Sequence, residues 1–451
     1  LECVNNQLTS LNVSGLTNLR ILRCGVNQLS SLNVSSLANL KELSCYNNQL
    51  PSLNVSGLTY LLNLICGENQ LSSLNVSSLS NLEILSCDEN LFSNLNVSSL
   101  SNLGYLSCGG NQLTSLNVSN LTNLTELHCA LNSLTSINFI GCTSLKDLFC
   151  EGNQLTSLNV SSLSNLEVLS CGENPLPSLN VLSLTNLEYL YCNNNQLSSL
   201  NVSGLANLLT LYCYQNQLTS LNVLGCTNLE NLRCYQNQLT SLNVSNSMNL
   251  KYLFCNNNSL TSLLIKNNNV NWVYLDFSSN PNLHYICADE EDLNLVQTRI
   301  NQYGIASTCH VNSYCSFTPG GTFYAINGNN RLDSNSNGCD ASDVAYQNLK
   351  INISNGTQSG SFIVYDAGNY SIPVSSGTHT LTPVLENPSY FNITPTTATV
   401  AFPTQASPFS QNFCITPNGV HHDLEVTIVP IGVARPGFDA SYKIIYKNKG
   451  N

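Results

Sequence analysis

The sequence predicts a mainly β protein: a parallel β-solenoid of about 14 coils of 21 residues, a helical cap, a β-sandwich and the start of a further domain. Two observations predict the solenoid. Cysteine returns every 21 residues from Cys3 to Cys255, and an apolar pattern of the same period surrounds each cysteine. The third observation predicts the sandwich: after residue 316, short alternating segments lie between Gly, Pro and Thr turns.

The repeated unit reads L-x-x-L-x-C-x-x-N-x-L-x-x-L-N-V-S-x-L-x-N, and it is clear in the coil that begins at Leu19. Leu22 and Cys24 are two residues apart, so on a strand they share one face and point into the coil. Their neighbours point outward. A coil of this length has no room for a full helix on its other side. Leu32 and Val34, again two apart, therefore predict a short extended segment there.

This unit resembles the leucine-rich repeat, whose signature L-x-x-L-x-L-x-x-N-x-L has a leucine where this chain has cysteine. The resemblance covers residues 1 to about 285 and implies a solenoid whose strands form a concave sheet. The Asn that follows each strand, such as Asn27 or Asn48, fits an inward ladder whose amides bond the turn backbone of adjacent coils.

Thirteen of the 20 cysteines lie on the 21-residue ladder. Buried cysteine behaves as a small hydrophobe, and a narrow coil favours it over leucine. Disulfides between neighbouring ladder thiols are disfavoured because their Cβ atoms point in parallel. A metal site needs ligands that converge on a point, which a straight column does not supply. We therefore predict that the ladder is core.

Residues 289–304, "DEEDLNLVQTRINQYG", predict an amphipathic helix that ends at Gly304 and covers the exposed edge of the last coil. The predicted domains are the solenoid at 1–285, the cap and linker at 286–315, the β-sandwich at 316–416, and the beginning of a second Ig-like domain at 417–451.

Five cysteines follow the ladder, so one of them stays free or pairs elsewhere. Cys287 and Cys309 flank the predicted helix, and we expect them to pair across it. We also expect Cys339 to pair with Cys414 inside the sandwich. Cys315 is then the odd cysteine.

Residues 331–343, "RLDSNSNGCDASD", resemble a loop of secreted bacterial β-sandwich modules of the SdrD B-like type. Asp333, Asn335 and Asn337, followed by Gly338, also match the spacing at the start of an EF-hand calcium loop. The twelfth position is Val344 instead of Glu, so two later aspartates would have to supply the missing charge. The alternative is an Asn- and Gly-rich turn without metal, and no other cofactor is predicted. The candidate Ca²⁺ ligands are Asp333, Asn335, Asn337, Asp340 and Asp343.

Composition and motifs exclude several classes of function. Fourteen Lys and Arg against 26 acids give a net charge of -12, which argues against binding nucleic acid or anionic membranes. No apolar run approaches the roughly 18 residues of a membrane span. The six His show no spacing with Cys or Ser that suggests a nucleophile, and no G-x-S-x-G, H-E-x-x-H or P-loop motif occurs. We therefore predict that the protein is not an enzyme.

Aromatic residues concentrate at the outward strand positions (third, fifth and seventh of each unit) near the end of the solenoid. A contiguous exposed aromatic patch usually marks an interaction site, and its rings are expected to offer flat apolar faces to sugars or to a partner loop. Glu188 and Glu230 at its margin favour a basic or neutral ligand. The alternative is that tyrosine suits strands and stacks along its column. In coils 1 to 9 the aromatics are Tyr46, Tyr105 and Phe149; in coils 10 to 14 they are Tyr189, Tyr191, Tyr212, Tyr214, Tyr235, Tyr252, Phe254 and Tyr274.

The order of repeats, cap, sandwich and the closing "ARPGFDASYKIIYKNKG" resembles large surface or secreted proteins of Flavobacterium-type Bacteroidetes. That resemblance implies a cell-surface or extracellular location, type IX secretion, and partners in a surface or outer-membrane secretion complex. We predict a binding or adhesion protein that recognises a protein or polysaccharide with the concave face. One alternative is a structural stalk or spacer. Another is binding to ice or mineral surfaces through the regular Thr, Ser and Asn columns.

Overall fold

The structure, a computed structural model, describes residues 1–269, 271–316, 322–365, 367–430 and 442–450. The chain divides into two units. The first contains Leu1–Leu260 and Asn267–Asn282, and the second contains Thr261–Lys266 and Leu283–Asn451. Residues 317–321 of the predicted sandwich and 431–441 of the predicted further domain lie outside the described residues. The predicted domain boundaries stay predictions.

The first unit is the expected parallel β-solenoid of about 14 turns of about 21 residues. Each turn from the second onward adds a three-residue strand to a 13-stranded parallel sheet. Successive strands pair in register, so that Leu22 lies beside Leu43. In chain order the strands of this region are β1 (Ile21–Arg23), β2 (Glu42–Ser44), β3 (Asn63–Ile65), β4 (Ile84–Ser86), β5 (Tyr105–Ser107), β6 (Ser115–Asn117), β7 (Glu126–His128), β8 (Ser136–Asn138), β9 (Asp147–Phe149), β10 (Val168–Ser170), β11 (Tyr189–Tyr191), β12 (Ser199–Asn201), β13 (Thr210–Tyr212), β14 (Ser220–Asn222), β15 (Asn231–Arg233), β16 (Ser241–Asn243), β17 (Tyr252–Phe254), β18 (Ser262–Leu264), β19 (Tyr274–Asp276), β20 (Tyr285–Cys287) and β21 (His310–Asn312).

The main sheet consists of β1 to β5, β7, β9 to β11, β13, β15, β17 and β19. Shorter parallel pairs, β6 with β8 and β12 with β14, form on the opposite side of the coil. Those strands are the short extended segments that the spacing of Leu32 and Val34 predicted for this side of the coil.

The core of the solenoid consists of the repeated Leu, Val and Cys. Leu22, Cys24 and their equivalents along the column are fully buried. Full burial of a leucine stabilises the fold by about 1.5 to 3 kcal/mol, and each coil contributes several such residues. The ladder thiols from Cys24 to Cys255 are all buried and free, as core packing requires.

The Asn ladder connects neighbouring coils. Asn27 Nδ2 donates to the carbonyl oxygens of Cys24 (3.1 Å) and of Cys3 one coil earlier (2.9 Å). Its Oδ1 accepts a hydrogen bond from the Leu8 N–H at 3.0 Å. Asn48 makes the same set one coil later. Each buried amide therefore satisfies backbone groups that the turn would leave unpaired.

The second unit begins with β18, β20 and β21, which pair in parallel. Between β20 and β21 lie a 3₁₀ turn, Glu290–Asp292, and the helix α1, Leu293–Gln302. Leu293, Val296 and Ile300 form the buried stripe of α1. The helix is where the sequence placed it, and its role as a cover for the solenoid stays a prediction.

The remaining strands are mostly antiparallel. One sheet has the order β23–β22–β31–β28 with β26 and β30 also on β22, a second has the order β25–β24–β27–β29, and β32 pairs with β33. Ile326 and Ile415 of the first sheet and Ile351 and Val400 of the second belong to one buried core. The strands are β22 (Tyr324–Leu332), β23 (Val344–Ala345), β24 (Lys350–Ser354), β25 (Ser359–Ile363), β26 (Asn369–Val374), β27 (Gly377–Val384), β28 (Phe391–Thr394), β29 (Ala398–Phe402), β30 (Phe409–Ser410), β31 (Phe413–Pro417), β32 (Leu424–Pro430) and β33 (Tyr442–Asn448).

The disulfides differ from the expected set in one pairing. Cys339 is bonded to Cys414, as the sequence predicted. Cys287 is bonded to Cys315, with Cα atoms 5.7 Å apart, and the expected pairing of Cys287 with Cys309 is wrong. The chain on the two sides of β21 gives the reason. Asn312 of β21 is paired with Cys287, and Cys309 lies three residues before Asn312, about 10 Å back along the strand direction, beyond the reach of a disulfide. After β21 the chain turns, with Asn312 Oδ1 accepting the Tyr314 N–H at 2.9 Å, and this turn brings Cys315 to Cys287. Cys309 is buried and free.

We expect the ladder thiols to resist alkylation in native protein and to react in concentrated guanidinium, because they are buried. Burial raises the pKa of Cys192 to about 12, against about 8.5 in an unfolded chain. The unfolded state therefore loses protons first. The free energy of unfolding should be constant below about pH 8 and should fall above about pH 9, by up to about 1.4 kcal/mol per thiol and pH unit. Thermal melts across this range measure the effect.

The matched variant is Cys213→Ala. It should be less stable by about 1 to 3 kcal/mol at neutral pH because it leaves a small cavity. Its stability should then fall less steeply with rising pH, because one buried thiol is missing. Stoichiometric zinc in purified protein, or rapid alkylation of the native state, would contradict the assignment of the ladder to the core.

Peptide mapping without reduction should recover Cys287 linked to Cys315 and Cys339 linked to Cys414. Cys309 should be labelled only after unfolding. Replacing Cys315 with Ser should destabilise the second unit by about 3.5 kcal/mol, because the bond closes a loop with a sequence separation of 28. Recovery of a peptide that links Cys287 to Cys309 would overturn this assignment.

Candidate functional site

The predicted aromatic residues lie on the main sheet of the solenoid. Strands β11, β13, β15 and β17, with the residue two beyond each, present twelve outward positions. Seven positions are aromatic, four are neutral and polar, and one, Arg233, is charged. We call these aromatic residues, Arg233 and Tyr274 of β19 the aromatic strip: Tyr189, Tyr191, Tyr212, Tyr214, Arg233, Tyr235, Tyr252, Phe254 and Tyr274.

The register of the strands sets which side chains meet. Tyr191, Tyr212, Arg233 and Phe254 occupy one column, since each is paired with the next across neighbouring strands. Strands in a sheet are about 4.8 Å apart, a distance at which two rings or a ring and a guanidinium can stack. The sheet therefore stacks whatever planar side chains the sequence places in one column.

Ring contacts run along most of the strip. Tyr214 and Tyr235 stack with centroids 4.6 Å apart and planes 5° from parallel. Tyr191 meets Tyr212 edge to face at 5.1 Å. Phe254 and Tyr274 stack at 4.5 Å. The stacked rings turn faces towards each other, so the expectation that they offer flat faces to a ligand does not hold for these pairs.

Not every predicted residue joins these contacts. Tyr189 and Tyr252 share the column of third positions, but Thr210 and Asn231 lie between them. Tyr252 is in register with Tyr274. Except for Tyr274, which is exposed, the predicted aromatic residues of the strip are partly buried.

Arg233 is the residue that the sequence reasoning missed. Its guanidinium carbon lies 4.6 Å from the ring centroid of Tyr212 and 4.9 Å from that of Phe254. Two aromatic rings thus enclose the guanidinium group. Its Nε is buried and has no hydrogen-bond partner among the described residues. Its position in the repeat could have indicated it: Arg233 is the fifth residue of its unit, and the fifth residues of the two adjacent units are Tyr212 and Phe254.

The tyrosine hydroxyls of the strip can each donate and accept a hydrogen bond. Burial raises the pKa of Tyr191 and of Tyr214 above the ordinary value, so both phenols stay protonated at physiological pH. Asn231 Nδ2 donates to Tyr212 Oη at 3.1 Å. At the margin, Glu230 forms an ion pair with Lys251 at 3.0 Å. This pair reduces the acidity that the sequence predicted for the margin.

A second, smaller cluster lies on the same sheet in earlier coils. The His128 ring stacks on Phe149 at 4.5 Å and contacts Tyr105 at 5.3 Å. Glu126 Oε2 lies 3.7 Å from His128 Nε2. Burial, followed by the charge of Glu126, raises the pKa of Asp147. This cluster is acidic, and the sequence reasoning included its Tyr and Phe but missed His128.

The candidate calcium loop in the second unit uses its carboxylates within the turn. Asp333 accepts hydrogen bonds from the N–H groups of Asn337 (3.2 Å) and Gly338 (2.9 Å). Asp343 accepts from the Asp340 N–H at 2.8 Å. No three His, Cys, Asp or Glu of the described residues come together as metal ligands would. These bonds fit a turn, and Ca²⁺ binding stays a prediction.

Comparison with known proteins places the solenoid among related structures. A model of leucine-rich repeats (2 copies) matches residues 164–207. A leucine-rich repeat protein from Leptospira interrogans is 26% identical, with a TM-score of 0.55, covering 69% of this chain and 94% of its own. YopM from Yersinia enterocolitica is 27% identical, with a TM-score of 0.50, covering 64% and 68%.

The functional domain of InlJ from Listeria monocytogenes, described as including a cysteine ladder, is 23% identical with a TM-score of 0.43, covering 89% of this chain and 91% of its own. No curated protein sequence matches the chain.

Among the described residues, the structure has no helix that is long and apolar enough to cross a membrane.

Calcium binding to the loop at 333–343 can be measured by thermal melts in excess CaCl₂ and in EDTA. An extracellular site with a Kd of about 10⁻⁴ to 10⁻³ M should add about 0.4 to 1.4 kcal/mol of stability at about 1 mM Ca²⁺. Asp343→Asn should abolish that gain, while Asp289→Asn, outside the loop, should keep it. Equal melting temperatures in Ca²⁺ and EDTA would leave the loop as a turn alone.

Proposed function

We propose that this leucine-rich repeat protein acts outside the cell as a binding or adhesion protein that recognises a protein or a polysaccharide through its aromatic strip. Leucine-rich repeat solenoids are generally non-catalytic binding scaffolds, and the fold is typical of protein-binding and adhesion proteins. The observation that carries the proposal is the concentration of aromatic side chains on neighbouring strands at one end of the sheet.

The fold itself does not need these rings. Strands β2, β4 and β5 hold the same sheet and bury the same Leu and Cys, but have Ser44, Ser86 and Ser107 at the outward fifth position. Stacking stabilises the strip, yet Ser-bearing coils are equally regular without it. A large, partly exposed aromatic surface that the core does not require is typical of an interaction site.

The location outside the cell is supported by the two disulfides, Cys287–Cys315 and Cys339–Cys414. Disulfides persist mainly in oxidising compartments such as the cell surface. The ladder thiols are compatible with such a compartment because they are buried. A bacterial source of the Bacteroidetes type, type IX secretion and a partner surface complex rest on the sequence resemblance and stay predictions.

The alternative of ice or mineral binding relies on the regular Thr, Ser and Asn columns. In the N-V-S segments, however, the Asn side chain is engaged in its own turn: Asn12 Oδ1 accepts from the Ser14 N–H at 3.0 Å, and Asn33 repeats this with Ser35. The Asn columns are therefore explained by local structure. No structural observation favours a stalk without a ligand over a binding protein.

Replacing Tyr191, Tyr212 and Tyr214 together with Ala tests the proposal. Binding of wild-type protein to immobilised cell-surface proteins and polysaccharides would be measured first, and the tightest interaction carried forward. The triple variant should bind at least about 2 kcal/mol more weakly if these are dominant contact residues. It should stay folded and lose only about 1 to 3 kcal/mol of stability, because it removes ring stacking and no core.

The matched control removes three rings that contact one another elsewhere on the sheet: Tyr105→Ala, His128→Ala and Phe149→Ala. Both triple variants lose ring contacts, but only the first changes the aromatic strip. We expect the control to bind within twofold of wild type. Equal loss from both variants, or no loss from either, would show that the strip is not the binding site.

A further inference from the structure

Three cations of the solenoid have an acidic partner, and Arg233 has none among the described residues. Arg23 contacts Glu42 at 2.6 Å, Lys146 contacts Glu167 at 2.7 Å and Lys251 contacts Glu230 at 3.0 Å. Arg233 forms no ion pair with any described residue. It is also the one charged side chain among the twelve outward positions of β11, β13, β15 and β17. It therefore places a positive charge near the middle of the strip, and the next charged residue in its column is Asp276, which is paired with Phe254.

The surroundings of Arg233 fix which part of it a ligand can reach. Tyr212 lies over one side of the guanidinium at 4.6 Å and Phe254 over it at 4.9 Å, so rings cover its faces. Because Nε is buried, the two Nη groups at the end of the guanidinium are what remains for a partner. A guanidinium has five donors in one plane and no acceptor, and its planar edge matches a carboxylate with two parallel hydrogen bonds.

The neighbouring tyrosines have the same preference. In the stacked pair Tyr214 and Tyr235, one face of each ring is closed by the other ring, while the ring edges are not used by the stack. Ring edges carry the positive end of the aromatic quadrupole, and faces carry the negative end. Protonated phenol hydroxyls add further donors. The surface around Arg233 therefore favours ligands rich in acceptors and negative charge, which differs from the basic or neutral ligand that the sequence predicted.

We propose that Arg233 and the tyrosine hydroxyls beside it bind carboxylate side chains of an acidic segment in a protein partner. This proposal rests on the proposed function, since it names the chemistry recognised by the same strip. A protein partner is favoured over a polysaccharide because Arg233 covers one face each of Tyr212 and Phe254, and the inner faces of the stacked pairs are closed to sugar rings. Aspartate and glutamate side chains need only the edge of the guanidinium and nearby donors.

The probe is poly-L-glutamate, titrated by calorimetry into the whole chain. We compare wild type with Arg233→Gln and Arg233→Lys, and use Arg23→Gln as the matched control. Arg23 occupies the same fifth position of its unit, so its replacement changes the net charge equally, but Glu2 and Glu42 already neutralise it. Arg233→Gln should weaken binding about tenfold or more. Arg233→Lys should retain part of the affinity, and Arg23→Gln should stay within twofold of wild type.

Thermal melts of each variant show that a loss of binding is not a loss of folding. If wild type does not bind poly-L-glutamate, or if both Gln variants weaken it equally, the proposal is overturned. The triple tyrosine variant would still decide the proposed function independently. If polygalacturonate binds through Arg233 and poly-L-glutamate does not, the carboxylate belongs to a polysaccharide, and the commitment to a protein partner is wrong.

Discussion

The side-chain amide of the Asn ladder is the interaction on which the rest of the solenoid depends. Asn27 donates to carbonyls of its own coil and of the preceding coil, and it accepts from the Leu8 N–H. Equivalent bonds return in almost every coil. These bonds satisfy buried backbone N–H and C=O groups of the turns, which would otherwise lack a hydrogen-bond partner. They also fix the position of each coil relative to the next, so that equivalent residues lie one strand spacing apart.

That fixed spacing turns a sequence column into a physical stack. Any planar side chain at the fifth position meets the residue 21 places away at about 4.8 Å. Serine at this position has no planar group and forms no stack. In contrast, Tyr212, Arg233 and Phe254 form a continuous stack in which the guanidinium lies between two rings. Stacking closes the ring faces that meet each other and leaves ring edges, hydroxyls and N–H groups. The period of the fold thus restricts which parts of these side chains a partner can contact.

Much of this arrangement could be predicted from the sequence, because the 21-residue period fixes which residues are inward. The burial of Leu22 and Cys24, the Asn ladder and the aromatic column all follow from it. The sequence could not show which way the rings turn, since that depends on side-chain torsions. Nor could it show that Cys287 pairs with Cys315, which depends on how the chain turns after β21. The left-handed backbone at Val26 (φ 54°) also lacks a sequence signal, because no glycine marks it.

The cysteine ladder links this architecture to the proposed location. Neighbouring ladder thiols are 21 residues apart in the chain, and in an unfolded chain under oxidising conditions they could form wrong disulfides. Folding removes that risk, because burial keeps each thiol protonated and away from solvent, and burial raises the pKa of Cys213 well above its ordinary value. In repeat proteins each coil contacts only its neighbours, so order can spread from coil to coil. A solenoid that protects its thiols as it grows can therefore combine a reduced core with two disulfides in the second unit.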